Sequence, residues 1–190
     1  MNSRILIVVI ALLLTGYWFI STNPLTQQQP IQAPGTQTAG VKGAQIGERI
    51  KTNGCQINGP LQDLGCTPGA VNPDLTKEVL CSSNFSTKSV RNVPAAEKRE
   101  VYTEYNIATH QSGQYEVDHL ISLELGGSND IANLWPEAAD PQPGFHQKDL
   151  VENYLHKQVC DGAISLQEAQ KEIATNWLLI YQSVHDIKNY

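Results

Sequence analysis

The sequence predicts an α+β domain that is braced by disulfides and preceded by an export segment. Three observations carry that expectation. Residues Tyr115 to Leu125 alternate in strand fashion, and Gly126-Gly127-Ser128-Asn129 turns them into a short return at Asn133-Leu134-Trp135, the pattern of a hairpin. Two stretches with apolar residues at helical spacing follow. Four cysteines, an even number, sit in a chain whose N-terminus reads as exported.

A chain of 190 residues suits one ordinary domain plus appendages. Arg4 precedes an apolar run from Ile5 to Leu14, which Tyr17-Trp18-Phe19-Ile20 extend. At roughly 16 apolar residues the run lies between a signal-peptide core and a full membrane span. Its bulky aromatic end suits an interfacial belt better than a cleavage site, so residues 1–20 are expected to anchor the chain, with a cleaved signal as the alternative. The early positive charge precedes the run, which places the rest of the chain on the periplasmic or extracellular face. Residues 21–45, rich in Gln, Pro, Thr, Gly and Ala with one charge at Lys42, read as a flexible tether spanning roughly 25–30 Å. The folded domain is expected over 46–190.

Within that domain, Asn53-Gly54, Asn58-Gly59-Pro60 and Cys66-Thr67-Pro68-Gly69 mark turns. Pro73 suits a first helical position and predicts a short helix over Asp74 to Leu80. The stretch from Val93 to Tyr105 opens on Pro94 and carries good helix formers, with Val101, Tyr102 and Tyr105 as its apolar stripe. After Pro141 and Pro143, the spacing of Leu150, Val151, Tyr154, Leu155 and Val159 predicts a helix from Phe145 to Cys160, ended by Gly162. Ser165-Leu-Gln-Glu168 is a capping-box pattern, and Leu166, Ala169, Ile173, Trp177, Ile180 and Val184 behind it read as the core face of a last helix. Cys55, Cys66, Cys81 and Cys160 allow three pairings, among which the sequence does not choose, and no C-x-x-C spacing suggests a zinc knuckle. The expected pairs are Cys55–Cys66, closing a short Gly-rich loop, and Cys81–Cys160, closing a long one; the alternative leaves one pair free.

The chemistry concentrates at Asp118-His119. A neutral imidazole, with a reference pKa near ~6.5, can take a proton from water, and a carboxylate is a hard anionic ligand for a divalent cation. Hydrolysis of a phosphodiester needs both, one to activate water and the other to place charge against the transition state. His119 is therefore the candidate general base and Asp118 the candidate metal ligand. A regular strand sends adjacent residues to opposite faces, so the two share a site only if the strand bends or ends there.

Asp118-His119, then Gly126-Gly127-Ser128-Asn129-Asp130, then Asn133-Leu134 resemble the motif of the HNH endonuclease family, whose ββα-metal fold is a hairpin followed by a helix. A wider likeness runs from Cys66-Thr-Pro-Gly69 through Asn133-Leu-Trp-Pro136 to Lys148-Asp149 and Val159-Cys160, and is similar to exported bacterial proteins of that family. The resemblance implies that Asn133 orients the base by bracing the loop or the imidazole, without touching substrate. It also implies a metal ligand on the helix, and there this chain departs from the common pattern. Many members place that His or Asn closer to the central Asn than any His here. His146, at the expected helix N-terminus, is the first candidate; Asn153, on the same helical face, is the second, and His156 lies further along.

Other residues carry weaker readings. Lys148 could approach phosphate but is expected in solvent, as are Glu116 and Glu124; His110 and His185 read as incidental, and Trp135 as a seal against the core. The function expected is that of a metal-dependent endonuclease, monomeric, with one divalent ion (Mg, Mn, Zn or Ni) and with DNA ahead of RNA as substrate. With 13 Lys and Arg against 19 Asp and Glu, the net charge of −6 argues against a DNA-coating protein and for weak, salt-sensitive binding. A bound cation would supply the missing positive charge locally. The competing reading is a non-catalytic binding module of the cell envelope on a nuclease-like scaffold.

Overall fold

The computed structural model describes residues 44–188. The anchor expected over 1–20 and all but the end of the tether lie outside the described residues. In chain order the elements are β1 (Ala44–Gln45), β2 (Ala70–Val71), α1 (Lys77–Leu80), α2 (Thr87–Val90), α3 (Ala95–Glu104), β3 (Tyr115–His119), β4 (Leu134–Ala138), α4 (Phe145–Cys160) and α5 (Leu166–Lys188). The domain is thus mixed α+β, with small two-stranded sheets and helices. Among the described residues no helix is long and apolar enough to cross a membrane.

β3 and β4 form an antiparallel hairpin in which Tyr115 faces Ala138 and His119 faces Leu134. β3 is shorter than the alternation suggests. It ends at His119, and the rest of the expected strand is loop with a 3-10 turn at Leu123–Leu125. The return strand begins at Leu134, after a second 3-10 turn at Ile131–Asn133. The reason lies in the Asn133 side chain. Its Oδ1 accepts from Ile121 N at 2.9 Å and its Nδ2 donates to Ile121 O at 3.0 Å, so a side chain occupies the backbone groups that would have continued the ladder. Gly127 is needed where this loop folds back, because a Cβ there would fall 1.7 Å from Ile121 O. Apolar residues alternate here because Ile121, Leu123 and Leu125 are all buried in the turn.

Two helices depart from expectation for local reasons. α1 starts at Lys77 rather than Asp74, because the Asn72 side chain accepts from Asp74 N at 3.0 Å and holds an Asx-turn there. α5 is interrupted at Asn176, whose backbone is extended and whose side chain accepts from Leu179 N at 3.4 Å, an N-cap for the second half. At the start of α5, Ser165 Oγ caps Glu168 N at 3.1 Å.

One core joins Leu120, Ile121, Leu125, Leu134 and Trp135 of the hairpin region to Val151, Leu155 and Val159 of α4 and Ala169, Ile173 and Trp177 of α5. Each large side chain buried here contributes roughly 1.5–3 kcal/mol. The segment before the hairpin fastens the hairpin loop, with Gly69 N bonding Ala132 O at 2.9 Å and Ser128 N bonding Ala70 O at 2.9 Å. Arg49 pairs with Glu104 of α3 and also donates to Cys66 O at 2.9 Å. Disulfides join Cys55 to Cys66 and Cys81 to Cys160, the latter tying the end of α1 to the end of α4. Both are compatible with an oxidising, exported setting.

Candidate active site

Because β3 stops at His119, Asp118 and His119 line the same cavity, a polar hollow of about 250 Å³ between the strand end, α2 and α4. His119 is 1 % exposed. Its Nε2 lies 3.1 Å from Asn129 Oδ1. Asn129 also donates from Nδ2 to Val90 O at 2.8 Å, and its Oδ1 accepts from Asn92 N at 2.9 Å. A backbone carbonyl can only accept and a backbone N–H only donate, so both ends of the amide are assigned by the network. The imidazole Nε2 therefore carries the proton, and Nδ1 keeps its lone pair. That Nδ1 is buried and has no hydrogen-bond partner. Burial pulls the proton affinity of His119 down, against Asp118 and the Asn129 bond, to a pKa of about 4. The ring is neutral at pH 7.

Lys148, expected in solvent, is fully buried. Its ammonium donates to Asp118 Oδ2 at 2.8 Å, to the backbone oxygen of His119 at 2.8 Å and to Glu152 Oε1, and it lies 3.7 Å from Glu137 Oε2. Burial disfavours the charged amine, but three surrounding carboxylates overcome this and hold its pKa well above the ordinary lysine value. One ammonium cannot satisfy three acids equally. Burial pushes Asp118 up, yet Lys148 outweighs it and leaves the carboxyl below its usual range. For Glu152 burial prevails over the same lysine and lifts the pKa to about 8; Glu137, 1 % exposed, is raised well above the carboxylate range. The sequence did hold a signal for Lys148: it falls on the inward stripe of α4 with Phe145, Val151, Leu155 and Val159.

Of the expected helix ligands, Asn153 lines the cavity and His146 does not. His146 is exposed at the first turn of α4, against the edge of the Phe145 ring. It shares a helical face with Asn153 but sits two turns earlier, about 10 Å along the axis, beyond the cavity. Asn153 donates from Nδ2 to Asp149 O at 2.7 Å, which leaves its oxygen for other partners. Sequence reasoning missed Asp149 and Glu152, which also line the cavity, and read Glu124 as solvated. Glu124 is half-buried there, with Oε1 enclosed and unpartnered. Burial raises the proton affinity of both Glu124 and Asp149.

Asn133 is fully buried and faces backbone rather than cavity. Besides its two bonds to Ile121, it donates to Ser128 O at 2.9 Å and accepts from Ala70 N at 3.4 Å. Trp135 is fully buried opposite Asp118 in the hairpin. Glu116 is exposed, and exposed His110 stacks on Tyr102. His185 packs near Tyr181.

The cavity's oxygen donors fit a hard divalent cation. Asp118 and Glu152 each give one oxygen to Lys148 and keep a second unengaged by it, while Glu124 offers an unpartnered oxygen. Among the described residues, these carboxylates are not gathered within 4.8 Å of one another, as a magnesium-type ion that retains several waters permits. A second group of possible ligands is gathered so closely: Cys81, His156 and Cys160. They could hold a metal ion, but only as thiolates, and in this structure the two sulfurs are joined to each other. Compared with known proteins, the chain matches no family model, and no curated protein or solved structure matches it significantly.

Proposed function

We propose that this domain is an exported, metal-dependent endonuclease that hydrolyses nucleic-acid phosphodiester bonds, with DNA the preferred substrate. The observation that carries the reading is the state of His119. It is a neutral imidazole, fixed through Nε2 by Asn129, with an unbonded Nδ1, in a cavity shared with Asp118.

In this mechanism His119 Nδ1 takes the proton from the water that attacks phosphorus. Asn129 keeps the ring in the accepting tautomer, and Asn133 holds the loop that carries the ring. Lys148 fixes the direction of the Asp118 carboxylate. A divalent cation held by oxygens of Asp118 and Asn153, and by Glu152 once its carboxyl has lost its proton, would supply charge stabilisation at the scissile phosphate and the leaving oxygen.

The test is cleavage of plasmid DNA and of RNA by the purified full chain, with chelator and with Mg, Mn, Zn or Ni added back. Metal-dependent cleavage that falls at least 100-fold in His119→Ala is expected. A wild type inert toward both polymers with all four metals would sink the proposal. One observation favours the binding-module reading, since Lys148 already compensates the Asp118 charge. That reading predicts an inert protein and metal-independent binding of a partner.

A further inference from the structure

The cavity is lined by four carboxylates, from Asp118, Glu124, Asp149 and Glu152, and this is a poor environment for a polyanion. Lys148 does not help, because it is enclosed and its ammonium is already committed to Asp118, Glu152 and the backbone. A different cation stands at the rim. Arg91, directly after α2, is exposed and lines the cavity together with Thr87 from the first position of α2. Among the described residues its guanidinium is engaged in no hydrogen bond or ion pair, despite the acidic groups around it. An arginine with all its donors unspent, lining the same small polar hollow as the candidate base, suits one oxyanion group with at least two free oxygens.

The backbone around Arg91 is held in place by the residue that holds the base. Asn129 accepts from Asn92 N at 2.9 Å and donates to Val90 O at 2.8 Å, gripping the residues on either side of Arg91. The same Asn129 Oδ1 lies 3.1 Å from His119 Nε2. One amide thus sets the spacing between the imidazole and the segment that carries the guanidinium. Burial sets the shifts of His119, Glu116 and Asp149, lowering the first and raising the other two, and Arg91 adds a smaller pull toward the deprotonated form of each.

We propose that Arg91, assisted by the Thr87 hydroxyl, is the phosphate-binding side of this cavity and docks the scissile phosphodiester against His119. This rests on the hydrolase reading and adds to it the group that captures substrate on an acidic protein. It accounts for how a chain of net charge −6 can hold a nucleic acid. Arg91 contributes a bidentate contact and Thr87 a hydroxyl donor, both made to nonbridging phosphate oxygens and so blind to base sequence.

The test uses the full chain carrying His119→Ala, which blocks turnover, titrated with a fluorescein-labelled 20-base-pair DNA in calcium buffer. Arg91→Gln added to this background is expected to raise Kd tenfold or more, Arg91→Lys to recover part of the loss, and Thr87→Val to raise Kd severalfold. In the otherwise native chain, Arg91→Gln should raise KM for DNA more than it lowers kcat. Melting temperatures alongside show that the variants are folded, as expected for an exposed side chain. Equal Kd for Arg91→Gln and its parent overturns the proposal, even if the wild type cleaves DNA. If the wild type cleaves nothing while Arg91→Gln still abolishes binding, the phosphate site stands and only the hydrolase reading falls. A wild type that binds neither DNA nor RNA overturns both.

Discussion

Lys148 Nζ and Asp118 Oδ2 lie 2.8 Å apart, and the lysine is fully buried beside the strand end that carries the candidate base. The pair sits in a group of one ammonium and three carboxylates, completed by Glu152 and Glu137. Removing the cation strands the Asp118 carboxylate, which Lys148 holds ionised, without its counterion. Lys148→Met is therefore expected to cost about 3–5 kcal/mol at pH 8, the range for breaking a buried pair from one side. The deficit should shrink at pH 5, where the orphaned Asp118 carboxyl can take up a proton. Urea unfolding of both proteins at the two pH values checks this; an equal deficit at both would mean that the loss is one of packing alone.

His119 supplies the second expectation. Its pKa is about 4 in the folded protein against 6.5 for the free side chain, so the unfolded chain binds the proton more readily. The resulting stabilisation is fully present above pH 6.5 and is lost as pH falls to about 4. At about 1.4 kcal/mol per unit, the full contribution is about 3 kcal/mol. His119→Gln keeps an N–H donor for Asn129 but cannot titrate. Its stability should consequently fall less than that of the wild type between pH 6.5 and 4, as chemical denaturation across that window would measure.

The hairpin, α4 and the place of Asp118-His119 on the first strand were legible in the sequence because alternation, a glycine turn and helical spacing are local signals. The early stop of β3 was not, because it depends on Asn133 reaching back twelve residues to Ile121. His146 attracted attention by residue type, whereas position along the helix axis decides which residues reach the cavity. Lys148 shows the converse. Its place on the buried stripe of α4 was visible, but residue type suggested solvent, and only the convergence of Asp118, Glu137 and Glu152 from separate elements makes burial tolerable. The break at Asn176 gave no sign within a continuous apolar stripe.

Disulfide reduction offers a third measurement. Cys81 and Cys160 are 79 residues apart, and closing a loop of that length contributes about 4–5 kcal/mol in the chain-entropy model. Cys55–Cys66, with a separation of 11, contributes less, about 3 kcal/mol. Cys81→Ser with Cys160→Ser should thus lower the melting temperature more than the corresponding change at Cys55 and Cys66. After a phosphine reduces the wild type, two thiolates and His156 become available, and added zinc should restore part of the lost stability. Calorimetry with and without zinc, repeated on His156→Ala, would read this; restoration unaffected by the His156 change would place the zinc elsewhere.

The most demanding prediction concerns Asn133, because it separates an amide from a carboxylate of the same shape. The side chain accepts from two backbone N–H groups, at Ile121 and Ala70, and donates to two backbone oxygens, at Ile121 and Ser128. Asn133→Ala leaves all four buried groups without this partner, at a cost of about 1–3 kcal/mol for each group left unsatisfied and not relieved by water or relaxation. Asn133→Asp keeps the two acceptor bonds but aims an anionic oxygen at two carbonyl oxygens, in a site with no exposure. At pH 8 the Asp variant should be at least as unstable as the Ala variant. On acidification the carboxyl can protonate and donate one bond, so the Asp variant should regain stability relative to Ala. Paired urea titrations at pH 8 and pH 5 decide it: a constant difference between the two variants would mean that the loop is held by packing rather than by the direction of these hydrogen bonds.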